Sequence, residues 1–141
     1  MHTKSGEGFV RTFLPAALPP GPGAVSVGRR YVTACMAELG ADAEGTEVAT
    51  LLASEVVTNA VRHGSPPGEV RVHAGNDRVR VSVSDSTSAP PVMRDGDQNG
   101  GFGLHVLERG ALDWGYYEQG TGKCVWFEIP LVTGAAPNDL H

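Results

Sequence analysis

Two polar side chains, Glu55 and Asn59, stand one helical turn apart in a stretch that is otherwise rich in apolar residues. Residues 51–64 are mostly good helix formers, and the run ends in Gly64, a residue common just past a helix C-terminus. On a wheel of ~100° per residue, one apolar arc is formed by Val48, Leu51, Leu52 and Val56. Glu55 and Asn59 fall in the middle of that arc. Burying an unpaired carboxylate is costly, so we expect Glu55 to have a partner there: a protein group, a metal or a ligand.

These two groups suit different chemistry. The amide oxygen of Asn59 suits Mg²⁺, which takes hard oxygen ligands and fills the rest of its shell with water and phosphate oxygens. The carboxylate of Glu55 suits removal of a proton from an attacking hydroxyl or water. The plainer interpretation is that both are surface groups on a helix rotated away from this wheel.

A second carboxylate, Asp85, ends a predicted strand. Before it, Val79, Val81 and Val83 alternate with polar residues and follow the turn at residues 75–77, a pattern that predicts an antiparallel hairpin with one buried face. Asp85 has the phase of the valines, so it should point to the core side. There it can accept a hydrogen bond from the exocyclic amine of a purine. The alternative is an Asp that starts a turn by bonding to its own backbone.

A glycine-rich segment, residues 99–103, opens onto a helical pattern that begins with Leu104. Backbone N–H groups at a helix N-terminus, together with the helix dipole, favour phosphate. The segment therefore predicts a phosphate-binding loop. The alternative is a plain flexible loop.

The rest of the chain predicts the elements that position these groups. Alternation over residues 9–14 indicates a first strand, and apolar spacing over residues 24–39 indicates a helix. Two further strands are predicted over residues 114–118 and 125–131. The order of elements suits helices layered on one face of a largely antiparallel sheet. We therefore predict an α+β fold, a two-layer α/β sandwich with a mixed, mostly antiparallel sheet.

Composition indicates one domain, which we place at residues 9–132 between a flexible N-terminus (1–8) and a flexible tail (133–141). The net charge of −5 argues against a nonspecific nucleic-acid binder. No apolar run approaches ~18 residues, so we expect no membrane span. The start of the chain lacks the apolar stretch of a secretory signal, and Cys35 and Cys124 fit no metal or CxxC spacing. We therefore expect a cytoplasmic protein with reduced thiols.

Three motifs in order resemble one family. Residues 55–63, Glu-x-x-x-Asn-Ala-x-x-His, resemble the N box of the GHKL ATPase and kinase superfamily, whose nucleotide site is the Bergerat fold. Residues 85–90 resemble its adenine-reading G1 box, and residues 101–106 its G2 box. Residues 114–128 resemble the small bacterial branch of anti-sigma-factor serine/threonine kinases, of the actinobacterial type. The resemblance runs over residues 9–131.

The resemblance implies a role for each matching residue. Glu55 is implied as the general base, Asn59 as the Mg²⁺ ligand and Asp85 as the acceptor for the adenine amine. Gly101 and Gly103 are implied to let a lid backbone close on the phosphates. The remaining implied nucleotide contacts are His63, Arg62, Leu104 and Cys124. For His63 the plainer reading is a cation at a helix C-terminus, and for Arg62 it is a surface charge.

The sequence departs from the family pattern at three places. The G1 box lacks its usual glycines, and Phe102 stands in the G2 box where relatives commonly carry Arg. Cys124 stands where relatives often have Thr, whose hydroxyl helps at the adenine through water. A thiol is a weaker hydrogen-bond partner than a hydroxyl. These departures point to weaker nucleotide affinity.

The resemblance implies an ATP-binding regulatory protein, an anti-sigma-factor type serine/threonine kinase that uses ATP and Mg²⁺. Its implied partners are an anti-anti-sigma (STAS-type) protein as substrate, a sigma factor as the sequestered protein and a second copy in a homodimer, with no direct nucleic acid or membrane. The alternative is a non-catalytic, nucleotide-gated module that sequesters a partner. A histidine-kinase catalytic half, or a gyrase- or chaperone-type ATPase, would need a further helical or transducer domain.

Overall fold

The computed structural model describes residues 8–62, 67–86 and 105–133. In these ranges the helices are α1 (Gly23–Glu38), α2 (Ala43–Arg62) and α3 (His105–Gly110). The strands are β1 (Arg11–Thr12), β2 (Ala16–Ala17), β3 (Pro67–Ala74), β4 (Arg78–Asp85), β5 (Asp113–Gln119) and β6 (Gly122–Pro130). No helix in the described part is long and apolar enough to cross a membrane.

The strands form one sheet in the order β1-β3-β4-β6-β5, and β2 pairs with β3 beside β1. Every strand pair in the described ranges is antiparallel. β3–β4 and β5–β6 are hairpins, and the contact between β4 and β6 joins them. The predicted α+β sandwich with a mostly antiparallel sheet is confirmed.

The core lies between one face of the sheet and the helices. Because side chains alternate between faces along a strand, every second residue of the central strands points to the helices. These residues are at most 4% exposed: Val70, Val72, Val79, Val81, Val83, Val125, Phe127 and Ile129. Helix α2 runs across this surface and contacts β3, β4 and β6. The helix that carries the candidate functional residues is thus held directly against the centre of the sheet.

The connection between α1 and α2 uses local backbone chemistry to begin the second helix. Gly40 has φ +72°, a left-handed conformation that glycine adopts without steric cost after a helix. The Asp42 carboxylate then accepts a hydrogen bond from the backbone N–H of Gly45 at 2.9 Å, as an N-cap does. Together these two residues set where α2 starts, and so where its polar residues fall relative to the sheet.

The N-terminal strand is shorter than predicted. Of residues 9–14 only Arg11–Thr12 is a strand, and a second short strand, Ala16–Ala17, follows it. Pro15 stands between the two and has no N–H to donate to the ladder. Because both pieces pair with β3, this edge of the sheet is built from two short segments.

The other face of the sheet carries polar and aromatic side chains. Its centre is an ion pair between Arg80 of β4 and Glu128 of β6, with nitrogen–oxygen distances of 2.7 and 2.8 Å. The Arg80 guanidinium lies over the Trp126 ring, 4.0 Å from its centre. Phe9 lies near the same guanidinium, 5.2 Å from ring centre to carbon. Stacking and pairing together bury an arginine on a face that no described helix covers.

Candidate functional site

Helix α2 places Glu55 and Asn59 at the edge of its buried face, not in the middle. Leu51, which was assigned to the apolar arc, is 54% exposed. The buried apolar residues of α2 are Ala49, Leu52, Ala53, Val56, Val57 and Ala60. The expectation was wrong because the arc counted only large side chains, whereas three alanines are also buried on this face. Asn59 is buried, at 8% exposure, and Glu55 is half-buried.

At that edge Glu55 has the character expected of a proton acceptor. Burial raises the pKa of its carboxyl above the ordinary value, and the positive charge of Arg62 opposes that shift. A carboxylate with a raised pKa is a better base than one in open water. Arg62 itself is exposed and lies in the last turn of α2. The structure therefore gives Arg62 an electrostatic link to Glu55.

Asp85, the last residue of β4, points to the helix side of the sheet, as its phase predicted. Its side chain is 3% exposed. Its Oδ2 accepts a hydrogen bond from Lys123 Nζ of β6 at 2.7 Å. The two residues are direct partners in the β4–β6 register, and the Lys123 side chain is 6% exposed. The acid predicted to read a purine amine is thus already half of a buried ion pair.

Lys123 was missed by the sequence analysis, although a signal was present. Val125, Phe127 and Ile129 alternate along β6 and face the helices. Counting two residues back from Val125 reaches Lys123, so the period of the strand places it on the same face. The preceding Gly122 allows the close approach, because a Cβ there would collide with the backbone carbonyl of Asp85.

The same alternation corrects the role given to Cys124. This thiol lies on the opposite face of the sheet from Asp85, where it lines a cavity of about 100 Å³ with Tyr117 and Ser84. Burial raises the pKa of the Cys124 thiol, while hydrogen bonds with Tyr117 and Ser82 lower it. An adenine that met Asp85 would be separated from Cys124 by the sheet, so the two residues would not contact it together. Lys123 occupies the position facing that side.

Four of the predicted site residues, His63, Gly101, Gly103 and Leu104, lie outside the described residues. Their roles stay predictions. The described structure brings three predicted residues to the helix side of the sheet: Glu55 and Asn59 on α2 and Asp85 on β4. A cavity of about 240 Å³ lies elsewhere, between Gly45 of α2 and Ile129 of β6. Because this cavity is not lined by Glu55, Asn59 or Asp85, we define the candidate site by these three side chains and not by a cavity.

A metal at this site would depend on Asn59. In the described ranges no three His, Cys, Asp or Glu residues converge to hold an ion. Asn59 presents an amide on the margin of the buried face of α2, next to the carboxylate of Glu55 one turn away. One such oxygen, completed by phosphate oxygens and water, fits the coordination that Mg²⁺ adopts with nucleotides.

The antiparallel sheet with helices on one face is the architecture expected from the resemblance to the GHKL superfamily. The family of the histidine kinase-like ATPase domain matches residues 18–129 of this chain. The match covers most of the sequence, and the chain belongs to this family. The resemblance noted from the three motifs is confirmed at the level of the family.

A solved structure, the RsbU and RsbW domains of Rv1364c from Mycobacterium tuberculosis, is similar to this chain. The TM-score is 0.65 at 23% identity, and the alignment covers 86% of this chain and 33% of that one. The chain therefore spans about a third of the protein that it matches, and the likeness shows a shared fold. No curated protein matches the sequence.

Proposed function

We propose that this protein is an ATP-dependent serine/threonine kinase of the anti-sigma-factor type, which phosphorylates an anti-anti-sigma protein. One observation carries the proposal: half-buried Glu55, with a raised pKa, lies one turn from buried Asn59 on the helix edge. A proton acceptor next to an amide that suits Mg²⁺ is what phosphoryl transfer to a hydroxyl needs.

In this mechanism the side chains position the reactants. Asp85 accepts a hydrogen bond from the 6-amine of adenine and so fixes the nucleotide. Asn59 would hold Mg²⁺, which neutralises charge on the phosphates. Glu55 takes the proton of the substrate hydroxyl while the hydroxyl oxygen bonds to the γ-phosphorus. The bond between the γ-phosphorus and the bridging oxygen of the β-phosphate breaks, and ADP is released. Positioning and charge neutralisation supply most of the rate enhancement.

The partners follow from the same assignment. We propose a small STAS-type anti-anti-sigma protein as the phosphate acceptor and a sigma factor as the protein that is sequestered. We also propose that the protein acts as a homodimer in the cytoplasm. The support for these partners is the resemblance of the motifs and the shared fold with a structure that includes a domain named RsbW.

The test is transfer of labelled γ-phosphate from ATP to candidate anti-anti-sigma proteins by wild type, Glu55→Gln and Glu47→Gln. Glu47 is an exposed carboxylate on the same helix and serves as the matched control. Glu55→Gln should lower the transfer rate by about 10²–10⁴-fold, the usual contribution of a general base, with ATP affinity retained. Glu47→Gln should transfer phosphate at the wild-type rate.

A second candidate function is a nucleotide-gated module that sequesters its partner without phosphorylating it. The observation that favours it is the ion pair between Asp85 and Lys123, in which the acid that we propose for adenine already has a charged partner. Wild type that binds ATP, yet labels no partner over long incubation, would replace the kinase proposal with this one. Loss of ATP binding in wild type would end both.

A further inference from the structure

Lys123 is a buried ammonium at the site proposed for adenine. Neither composition nor motif assigns it a role. Its side chain is 6% exposed, and lysines are almost never so buried without a partner. The partner is Asp85, with Nζ 2.7 Å from Oδ2. The pair ends the β4–β6 ladder on the face that α2 covers, the side that also bears Glu55 and Asn59.

The pair has more hydrogen-bonding capacity than the bond within it uses. An ionised carboxylate offers about four lone-pair positions, and an ammonium has three protons. Their mutual bond uses one lone-pair position of Asp85 and one proton of Lys123. Asp85 and Lys123 thus present an acceptor and a donor side by side.

Adenine carries the complementary pair on adjacent positions of its ring. Its 6-amine donates, and the neighbouring ring nitrogen N1 accepts. If Asp85 accepts from the amine, the ammonium of Lys123 is the nearest charged donor to that acid in the described residues, bonded to its Oδ2. The distance of 2.7 Å between Oδ2 and Nζ keeps the two recognition groups within one hydrogen bond of each other.

Sharing the acid is favoured over displacing the lysine. If adenine displaced Lys123 from Asp85, the ammonium would be buried without its partner. The free-energy cost of that unpaired charge exceeds the gain from a single hydrogen bond to a charged group. If Lys123 stays paired and donates a second proton to the ring, no charge is uncovered. The free energies therefore favour an arrangement in which Asp85, Lys123 and adenine are all hydrogen-bonded to one another.

We propose that Lys123 is a base-reading residue of the nucleotide site: it donates to N1 of adenine while Asp85 accepts from the 6-amine and remains paired with it. The proposal rests on the nucleotide site of the proposed function and names the second residue that recognises the base. It does not depend on whether phosphoryl transfer occurs.

The experiment is isothermal titration of wild type and Lys123→Met with Mg·ADP and Mg·1-deaza-ADP, an analogue that lacks the N1 acceptor. Wild type should bind the analogue about tenfold more weakly than ADP, the size expected for a hydrogen bond to a charged group. Lys123→Met keeps an unbranched side chain, one atom shorter, and removes the donor. It should bind ADP about tenfold more weakly than wild type does, and should bind both ligands within about twofold of each other.

Arg80→Met is the matched control, because it removes the cation of the other buried pair between the same two strands, on the opposite face. It should leave the ratio of the two affinities at the wild-type value. Equal affinity of wild type for ADP and the analogue would overturn the proposal. Tighter ADP binding by Lys123→Met would also overturn it, since the lysine would then be an obstacle to the base.

Two arms keep the test decisive. The wild-type comparison of the two ligands needs no substitution, so it decides the proposal even if Lys123→Met does not fold, which its melting curve would show. The proposed function fails separately: wild type that binds ADP but never phosphorylates a partner leaves the role of Lys123 intact. Wild type that binds neither ligand overturns both.

Discussion

Two buried ion pairs join the same two strands, β4 and β6, on opposite faces of the sheet. Arg80 and Glu128 pair at 2.7 Å in the outer face, with side chains 7% and 6% exposed. Lys123 and Asp85 pair at 2.7 Å in the helix-covered face, with side chains 6% and 3% exposed. Charge, distance and burial are nearly equal, and the surroundings differ.

In the outer pair, neighbouring side chains contact both the charged atoms of Glu128 and the guanidinium of Arg80. Two nitrogens of Arg80 contact one oxygen of Glu128, and Arg78 lies 3.6 Å from the other oxygen. The Trp126 ring covers the guanidinium. The inner pair joins a carboxylate at the last residue of β4 to an ammonium at the second residue of β6, at the end of the ladder. The outer pair is packed among described side chains, and the inner pair is the one that we propose for recognition of the nucleotide.

The largest expected effect is on the stability provided by the outer pair. Arg80→Met leaves Glu128 buried with its main partner gone, so the free energy of unfolding should fall by ~3–5 kcal/mol. Urea denaturation followed by circular dichroism measures it. Arg29→Met, at an exposed arginine of α1, is the control and should change the value by less than ~0.5 kcal/mol. A loss below ~1 kcal/mol for Arg80→Met would mean that the outer pair is not the structural one.

A smaller effect is expected when each pair is replaced as a unit. The doubles Asp85→Leu/Lys123→Met and Arg80→Met/Glu128→Leu substitute apolar side chains for both charges, a change that is often neutral or stabilising by ~1–4 kcal/mol. We expect the inner double to be at least as stable as wild type and to lose nucleotide binding. The outer double should retain it. Thermal melts with and without Mg·ADP measure both, since a ligand that binds only the folded state raises the melting temperature. An Mg·ADP shift in the inner double would exclude Asp85 from the site.

The smallest effect comes from Glu55, a carboxylate whose nearby cation, Arg62, is exposed. Burial raises the pKa of Glu55 above its ordinary value of 4.5, so the folded state holds this proton more tightly than the unfolded state. Its contribution to stability is complete below pH 4.5 and is lost as the pH rises through the folded pKa. Glu55→Gln should therefore raise stability at pH 7 by less than ~1 kcal/mol, and the gain should vanish in acid. Denaturation at pH 7 and pH 4 measures it; an equal change at both would exclude titration as the cause.

Much of the fold was predictable because it follows from local periodicity. The alternating valines of β3 and β4 and the helical spacing of α1 appear directly in the printed sequence. The position of Asp85 on the helix side followed from the phase of Val79, Val81 and Val83. These features depend on near neighbours in the chain, which is why a single sequence carries them.

The parts that could not be predicted depend on contacts between distant segments. The rotation of α2 is set by alanines that pack on the sheet, and an alanine gives little signal in a hydrophobic pattern. The pairing of Asp85 with Lys123 needs the register of β4 against β6, residues 38 apart in the chain. Cys124 was placed by resemblance to a family motif, although the alternation along β6 puts it on the other face. There, strand geometry was the better guide.

The missing side chain at Gly122 has a consequence for how this site varies among proteins. Any larger residue would strike the backbone of Asp85 and push the start of β6 away from the end of β4. Lys123 would then be carried away from the acid with which it pairs. We therefore expect the residues at positions 85, 122 and 123 to vary together among homologues. Homologues with an acid at position 85 and a lysine at position 123 should keep glycine at position 122. Homologues that lose this glycine should also change the lysine.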